Sequence, residues 1–199
     1  MNVFAYVYKD GLYLNITNRC MMACPYCMKN KWKNDFRGND LRLEREPTAK
    51  ETVEAIENNG GAKKYKEIIF CGYGDALARL ETVKEVASWI KGQGCKTRLN
   101  TAGLANRFYG RNILPELEGH IDAISISLNG TNPKEHDEIN KPMFGKESFE
   151  EILKFVSEAK KYIPSVTITA VGFDFLDVSK VEQIAKTLGV NFRQRKYEE

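Results

Sequence analysis

The chain has 199 residues, 42% hydrophobic and 29% charged, with a formal net charge of +3. That length suits one domain with a sizeable core, and the small charge excess does not by itself imply nucleic acid. No apolar run is long enough to span a bilayer, the first residues lack the pattern of a signal peptide, and five cysteines with three on one short stretch do not make a disulfide framework, so a reducing cytoplasm is expected.

In chain order, Val3 to Tyr8 and Leu12 to Thr17 read as strands around the turn Lys9-Asp10-Gly11, an N-terminal β-hairpin over about residues 1–17. Thr48 to Asn59 reads as a helix, with Thr48 and Glu51 spaced as a capping box. Glu67 to Cys71 is a short buried strand, Leu80 to Lys91 a helix stopped at Gly92, and Lys96 to Thr101 the next strand. A short helix is expected over Asn112 to Leu117, then a strand over Ile121 to Leu128. Pro133 to Ile139 and Glu147 to Tyr162 read as helices. Val166 to Val171 is a strand, Val178 to Leu188 a helix, and Val190 to Arg195 the last strand. Such alternation builds a parallel sheet with right-handed helical crossovers. Six core strands are too few for a closed eight-unit barrel, which takes about 250 residues. The expected fold is α/β, an open partial (β/α)6 TIM-type barrel in a single domain spanning 1–199. Its site should lie on the loops after the strands.

The first such loop carries Cys20, Cys24 and Cys27 at spacing C-x3-C-x2-C. Thiolates are soft ligands that favour zinc, copper(I) or iron–sulfur clusters. A cubane cluster normally takes four thiolates, so three on one loop would leave an iron open to a cofactor or substrate. The competing reading is a structural zinc site, which usually needs a second ligand pair. Cys71, Cys95, His120 and His136 are all isolated and form no such pair. Cys71 and Cys95 are expected to be packed thiols, and His120 and His136 to be structural or exposed.

The later strand ends are polar or glycine-rich. Phe70-Cys71-Gly72-Tyr73-Gly74-Asp75-Ala76 combines glycines, which allow close backbone approach, with a carboxylate suited to an ammonium group. The next strand ends in Leu99-Asn100-Thr101-Ala102-Gly103. Ser125, Ser127 and Asn129 share one face of the strand after that and need polar partners. Ala170-Val171-Gly172 closes the following strand.

Together these motifs resemble the radical S-adenosylmethionine (radical SAM) superfamily, in which the residue before the last cysteine is usually aromatic, as is Tyr26. Gly72, Tyr73, Gly74 and Asp75 resemble that superfamily's Gly-Gly-Glu-Pro motif, with Asp75 for Glu and Ala76 for Pro. Asn129 stands at the acidic place of its Ser-x-Asp-Gly strand. More closely, Tyr13 to Cys20, Gly72-Tyr73-Gly74 and Arg111 to Leu117 resemble small radical SAM proteins linked to the TatD hydrolase family.

The resemblance implies a [4Fe–4S] cluster on Cys20, Cys24 and Cys27. It implies S-adenosylmethionine held by Tyr26, Gly72, Tyr73, Gly74, Asp75, Asn100, Ser125, Ser127, Asn129, Val171 and Gly172, the last two against the adenine. Reductive cleavage to a 5′-deoxyadenosyl radical would then abstract hydrogen from an unidentified substrate. It implies a low-potential electron donor such as flavodoxin or ferredoxin. A glycyl-radical activating enzyme and a 7-deazaguanine-forming enzyme also fit the size; an iron–sulfur electron-transfer module is a reading of another class. No cysteine group follows the last strand, so no auxiliary cluster domain is expected. Lys29, Lys31, Lys33, Arg37 and Arg42, with Trp32 and Phe36 interleaved, plus Arg107 and Arg111, are expected to form a basic mouth for an anionic substrate or partner, or else a solvated surface.

Overall fold

The strands from the second to the sixth of the main sheet each bury an apolar face beneath helices. In the computed structural model, described over residues 2–31 and 35–197, the elements in order are β1 (Ala5–Tyr8), β2 (Gly11–Leu14), α1 (Met28–Lys31), β3 (Asp35–Phe36), β4 (Asn39–Asp40), α2 (Ala49–Asn58), β5 (Glu67–Phe70), α3 (Leu80–Gly92), β6 (Thr97–Thr101), α4 (Ala105–Tyr109), β7 (Ala123–Ser127), α5 (Pro133–Asn140), α6 (Glu147–Ala159), β8 (Ser165–Val171), α7 (Val178–Leu188) and β9 (Asn191–Arg195). Seven strands form one sheet in the order β1-β2-β5-β6-β7-β8-β9. Only β1 and β2 are antiparallel; every later neighbour is parallel. The sheet does not close: β1 and β9 are its two edges. This is the open partial barrel with six parallel strands that the sequence predicts.

Leu12, Leu14, Ile68, Phe70, Leu99, Ile124, Ile126, Ile168 and Ala170 point to the helical side and join the main core with residues such as Val83, Val86, Ile90, Ile152 and Phe155. Helix α2 opens as expected: Thr48 Oγ1 accepts from Glu51 N, and the Glu51 carboxylate accepts from Thr48 N.

The opposite face is concave. Strand register places Tyr6, Tyr13, Ile69, Arg98, Ala123 and Ser165 in one cross-strand row, and Asn100, Ser125, Thr167 and Asn191 in the next. Ser127, Thr169 and Arg193 form a third. A closed barrel of this kind fills its interior with bulky apolar layers; this interior is largely polar. At the β1 edge the short β3–β4 hairpin folds over it, and Tyr6, Phe36 and Leu41 make a second small buried cluster with Tyr8, Tyr13 and Tyr73 against it.

One expectation needs correcting. The turn expected as a helix over Asn112 to Leu117 is a shorter 3₁₀ segment, Leu114–Leu117, and α4 before it was not expected. Proline at the second position of that segment and the left-handed Gly110 keep the two apart.

Candidate functional site

Beyond Leu14 the chain leaves regular pairing but keeps company with the end of β5. Cys71 N donates to Leu14 O at 3.2 Å, Tyr73 N to Asn15 Oδ1 at 2.9 Å, Gly74 N to Thr17 O at 2.9 Å and Asp75 N to Arg19 O at 2.8 Å. The two glycines make this approach possible. A Cβ on Gly72 would sit 2.2 Å from Asn15 Oδ1, and one on Gly74 2.3 Å from Arg19 O. Their immediate role is therefore to lay the 71–75 loop against the segment that leads to Cys20. With the amides turned that way, the carbonyls of Gly72 and Gly74 accept no hydrogen bond among the described residues.

The cysteine loop is held on its other side by the chain after α5. Ala23 N donates to Asn140 O at 3.2 Å and Lys141 O at 3.1 Å, and Met143 N to Met21 O at 3.0 Å. Within the loop, Cys27 N donates to Cys24 O at 3.0 Å, and Asn30 Nδ2 reaches the same carbonyl at 3.1 Å. Tyr26 locks the arrangement. Its hydroxyl donates to Asn140 Oδ1 at 2.5 Å and accepts from Asn129 Nδ2 at 2.7 Å, while its ring stands edge-on to Phe173 at 4.6 Å. The Cys24 thiol lies 3.9 Å from that Asn140 Oδ1.

All three thiols are free. Cys20 is exposed at the mouth, yet its thiol is crowded enough that desolvation, and then nearby Asp75, push its pKa up to about 12. Burial likewise raises Cys24, against the opposing influence of the neighbouring Tyr26 hydroxyl. Metal binding here must release protons. The donor set fits an iron–sulfur cluster: three soft donors on one loop, anchored by backbone on both flanks. Among the described residues no three His, Cys, Asp or Glu side chains close on a single ion. A cubane asks for no such closure, because its ligands sit on separate irons.

The other expected residues gather around this loop in different roles. Asp75 is buried and both its oxygens are engaged: Oδ1 accepts from Leu77 N at 3.0 Å, Oδ2 from Thr101 Oγ1 and Ala102 N at 2.8 Å each. Burial raises its pKa while those bonds oppose the rise. It caps the 3₁₀ turn Ala76–Arg79 and ties the loop after β5 to the loop after β6, instead of presenting a free carboxylate to an ammonium group. Asn129 is equally committed, with Oδ1 accepting from Val171 N at 2.8 Å. Ser125, Ser127 and Asn100 do face the concavity, and Asn100 Oδ1 is buried without a partner among the described residues. Gly172 N donates to Arg195 O at 2.9 Å, and a Cβ there would strike Gln194. Tyr73 lies beneath Lys29, whose Nζ is 5.5 Å from the ring centre.

The expected basic mouth is only partly present. Arg107 pairs with Glu147 at 3.1 Å and Arg111 with Glu116, so neither offers a free charge. Arg37 lies over the Tyr8 ring at 5.2 Å, and Phe36 is buried. Trp32, Lys33 and the Lys31 side chain lie outside the described residues. Four contributors escaped the sequence reading: Asn15 and Asn140, which brace the two loops, and Arg193 and Arg195, which project from β9 onto the concave face. Only the last two had a signal, their alternation along a strand. Cys71 sits on the same face, its thiol pKa raised by burial, whereas Cys95 precedes β6 at the far end of the barrel. His136 is fully buried on α5, and His120 Nδ1 lies 3.1 Å from Ser88 Oγ.

A family model described as the radical SAM superfamily matches residues 14–188. No curated protein matches the chain. Among solved structures, a radical SAM methyltransferase from Sphaerobacter thermophilus superposes with a TM-score of 0.64 at 15% identity, over 96% of this chain and 68% of that one. SuiB of Streptococcus suis superposes with a TM-score of 0.63 at 13% identity, over 91% of this chain and 38% of that one. At such identities the likeness is one of fold. No helix among the described residues is long and apolar enough to cross a membrane.

Proposed function

The chain belongs to the radical SAM superfamily, whose enzymes use a [4Fe–4S] cluster and S-adenosylmethionine and need an electron donor and a substrate, and from that premise we propose that Cys20, Cys24 and Cys27 are its cluster ligands. The observation that carries this reading is three free thiols on one loop, braced by the 71–75 segment on one flank and by Asn140 to Met143 on the other. When bound, the cluster and S-adenosylmethionine supply a one-electron cleavage that yields a hydrogen-abstracting 5′-deoxyadenosyl radical.

The chain's own residues divide between binding and bracing. The carbonyls of Gly72 and Gly74, unpaired among the described residues, would accept hydrogen bonds from the methionine ammonium group, with Tyr73 alongside. Asn100, Ser125 and Ser127 offer polar edges to the carboxylate and ribose. Val171 and Gly172 give the adenine a flat surface. Tyr26, Asn129 and Asp75 act from behind, fixing the loops that do the binding. A small low-potential protein such as flavodoxin or ferredoxin, in a reducing cytoplasm that leaves the thiols free, is the fitting electron donor.

Anaerobic reconstitution tests the assignment. The protein should take up about four irons. Cys20→Ala, Cys24→Ala and Cys27→Ala should each lose stable cluster binding, and Cys95→Ala should keep it. Full iron content in Cys24→Ala would sink the ligand set. Release of 5′-deoxyadenosine by the reduced protein separates an enzyme from an electron carrier.

A further inference from the structure

The concave face holds three guanidinium groups and little to neutralise them. Arg98 on β6 is satisfied: its Nε and Nη2 donate to the two Glu67 oxygens at 3.0 and 2.7 Å. Arg193 and Arg195, on β9, have no carboxylate partner among the described residues. Register places Arg193 opposite Thr169 and Arg195 opposite Val171, both on the inner face. They lean across β8 to β7, where Arg193 Nη2 is 3.3 Å from Ser125 Oγ and Arg195 Nη2 is 3.3 Å from Ser127 Oγ. Both side chains are exposed to the open concavity.

Their position links the barrel interior to the cysteine loop. The charges of Arg98 and Arg195, after partial desolvation, weaken the hold of Arg193 on its proton, so the three groups lie within reach of one another. The charge of Arg195 also bears on Tyr26 and on Cys71. Glu67 is taken up by Arg98 and is only a lesser counter-charge for Arg193, so among the described residues the three guanidinium groups are under-neutralised, and an oxyanion relieves the imbalance. The planar guanidinium fork suits carboxylate and phosphate in particular. Across the concavity, Tyr6, Tyr8 and Tyr13 form an aromatic edge.

We propose that Arg193 and Arg195 bind an oxyanion of the substrate, a carboxylate or phosphate, inside the open barrel below the cysteine loop. The word substrate rests on the radical SAM reading; anion binding by the pair does not.

The test uses reconstituted protein labelled with the arginine reagent phenylglyoxal and read by mass spectrometry. Arg193 and Arg195 should label readily and Arg98, paired with Glu67, slowly. With S-adenosylmethionine present, inorganic phosphate or acetate should slow labelling of the pair by about tenfold, and chloride at equal ionic strength should not. The better protector distinguishes a phosphate from a carboxylate site. Calorimetry with that same anion should show Arg193→Gln and Arg195→Gln each about tenfold weaker, with iron content retained and S-adenosylmethionine affinity lowered by less than about threefold, since the pair only borders the Ser125 and Ser127 hydroxyls. Chloride protecting as well as either probe would overturn the proposal. So would protection by S-adenosylmethionine alone with a matching loss of its affinity in the variants, which would give the pair to the cofactor carboxylate. Wild-type protein that shields the pair with phosphate but takes up no iron would uphold the anion site and reject the cluster reading.

Discussion

Asp75 stands where the motif it resembles has glutamate, and its surroundings show why the shorter acid fits. Its carboxylate is the acceptor for Leu77 N, Ala102 N and the Thr101 hydroxyl. Asp75→Ala strands these buried donors, each at a cost of about 1–3 kcal/mol. Chemical denaturation of the metal-free protein should therefore show a loss of at least about 3 kcal/mol. Asp75→Glu should not rescue it, because an added methylene in a packed site itself costs about 1–3 kcal/mol. Affinity of the folded Asp75→Ala protein for S-adenosylmethionine should drop by about tenfold or less. Wild-type stability together with abolished binding would mean that the carboxylate touches the ligand after all. The acidic residue was legible in the sequence, and its shortness already suggested that it organises its loop; its partners Thr101 and Ala102, a strand away, were not legible.

Helix α5 carries a second consequence of burial. His136 is enclosed, with its ring edge-on to Phe149 at 5.9 Å and neither ring nitrogen hydrogen-bonded among the described residues. Desolvation lowers its pKa to about 4, against an opposing effect of Asp137. A folded value below the unfolded one near 6.5 means that the fold favours the neutral ring. That contribution is fully present above about pH 6.5 and is lost as pH falls toward 4. Unfolding free energy of the metal-free protein should drop by about 3 kcal/mol across that window through this group. His136→Phe should flatten the dependence; an unchanged slope would refute the assignment. The longer elements were readable because each repeats one signal. Apolar alternation marks β7 and β8, the 3.6-residue stripe marks α3 and α6, and Thr48 with Glu51 marks the start of α2. The β3–β4 hairpin and α4 are too short for periodicity to speak. The hairpin turns on Arg37 at φ 53° and Gly38 at φ 85°, without the Asn-Gly pair that usually announces such a turn.

At the scale of the molecule, the sequence showed which residues end each strand, and so the cysteine loop and the polar strand ends. It did not show which distant residues meet there. Asn140 becomes the partner of Tyr26 only because α5 returns over the barrel end, and Arg193 reaches Ser125 only because β9 lies beside β8. The same topology leaves one face of the sheet packed on helices and the other polar and open. This has a thermal consequence. The heat capacity of unfolding rises with newly exposed apolar surface and falls with polar surface, and averages about 12–15 cal/mol/K per residue. A sheet dry on one side only should lie at or below the lower end of that range in the metal-free protein. Its stability should then vary gently with temperature, with a broad maximum and shallow flanks. Scanning calorimetry at several pH values would measure the slope of enthalpy against melting temperature. A value above about 15 cal/mol/K per residue would mean that the concave face is covered in solution.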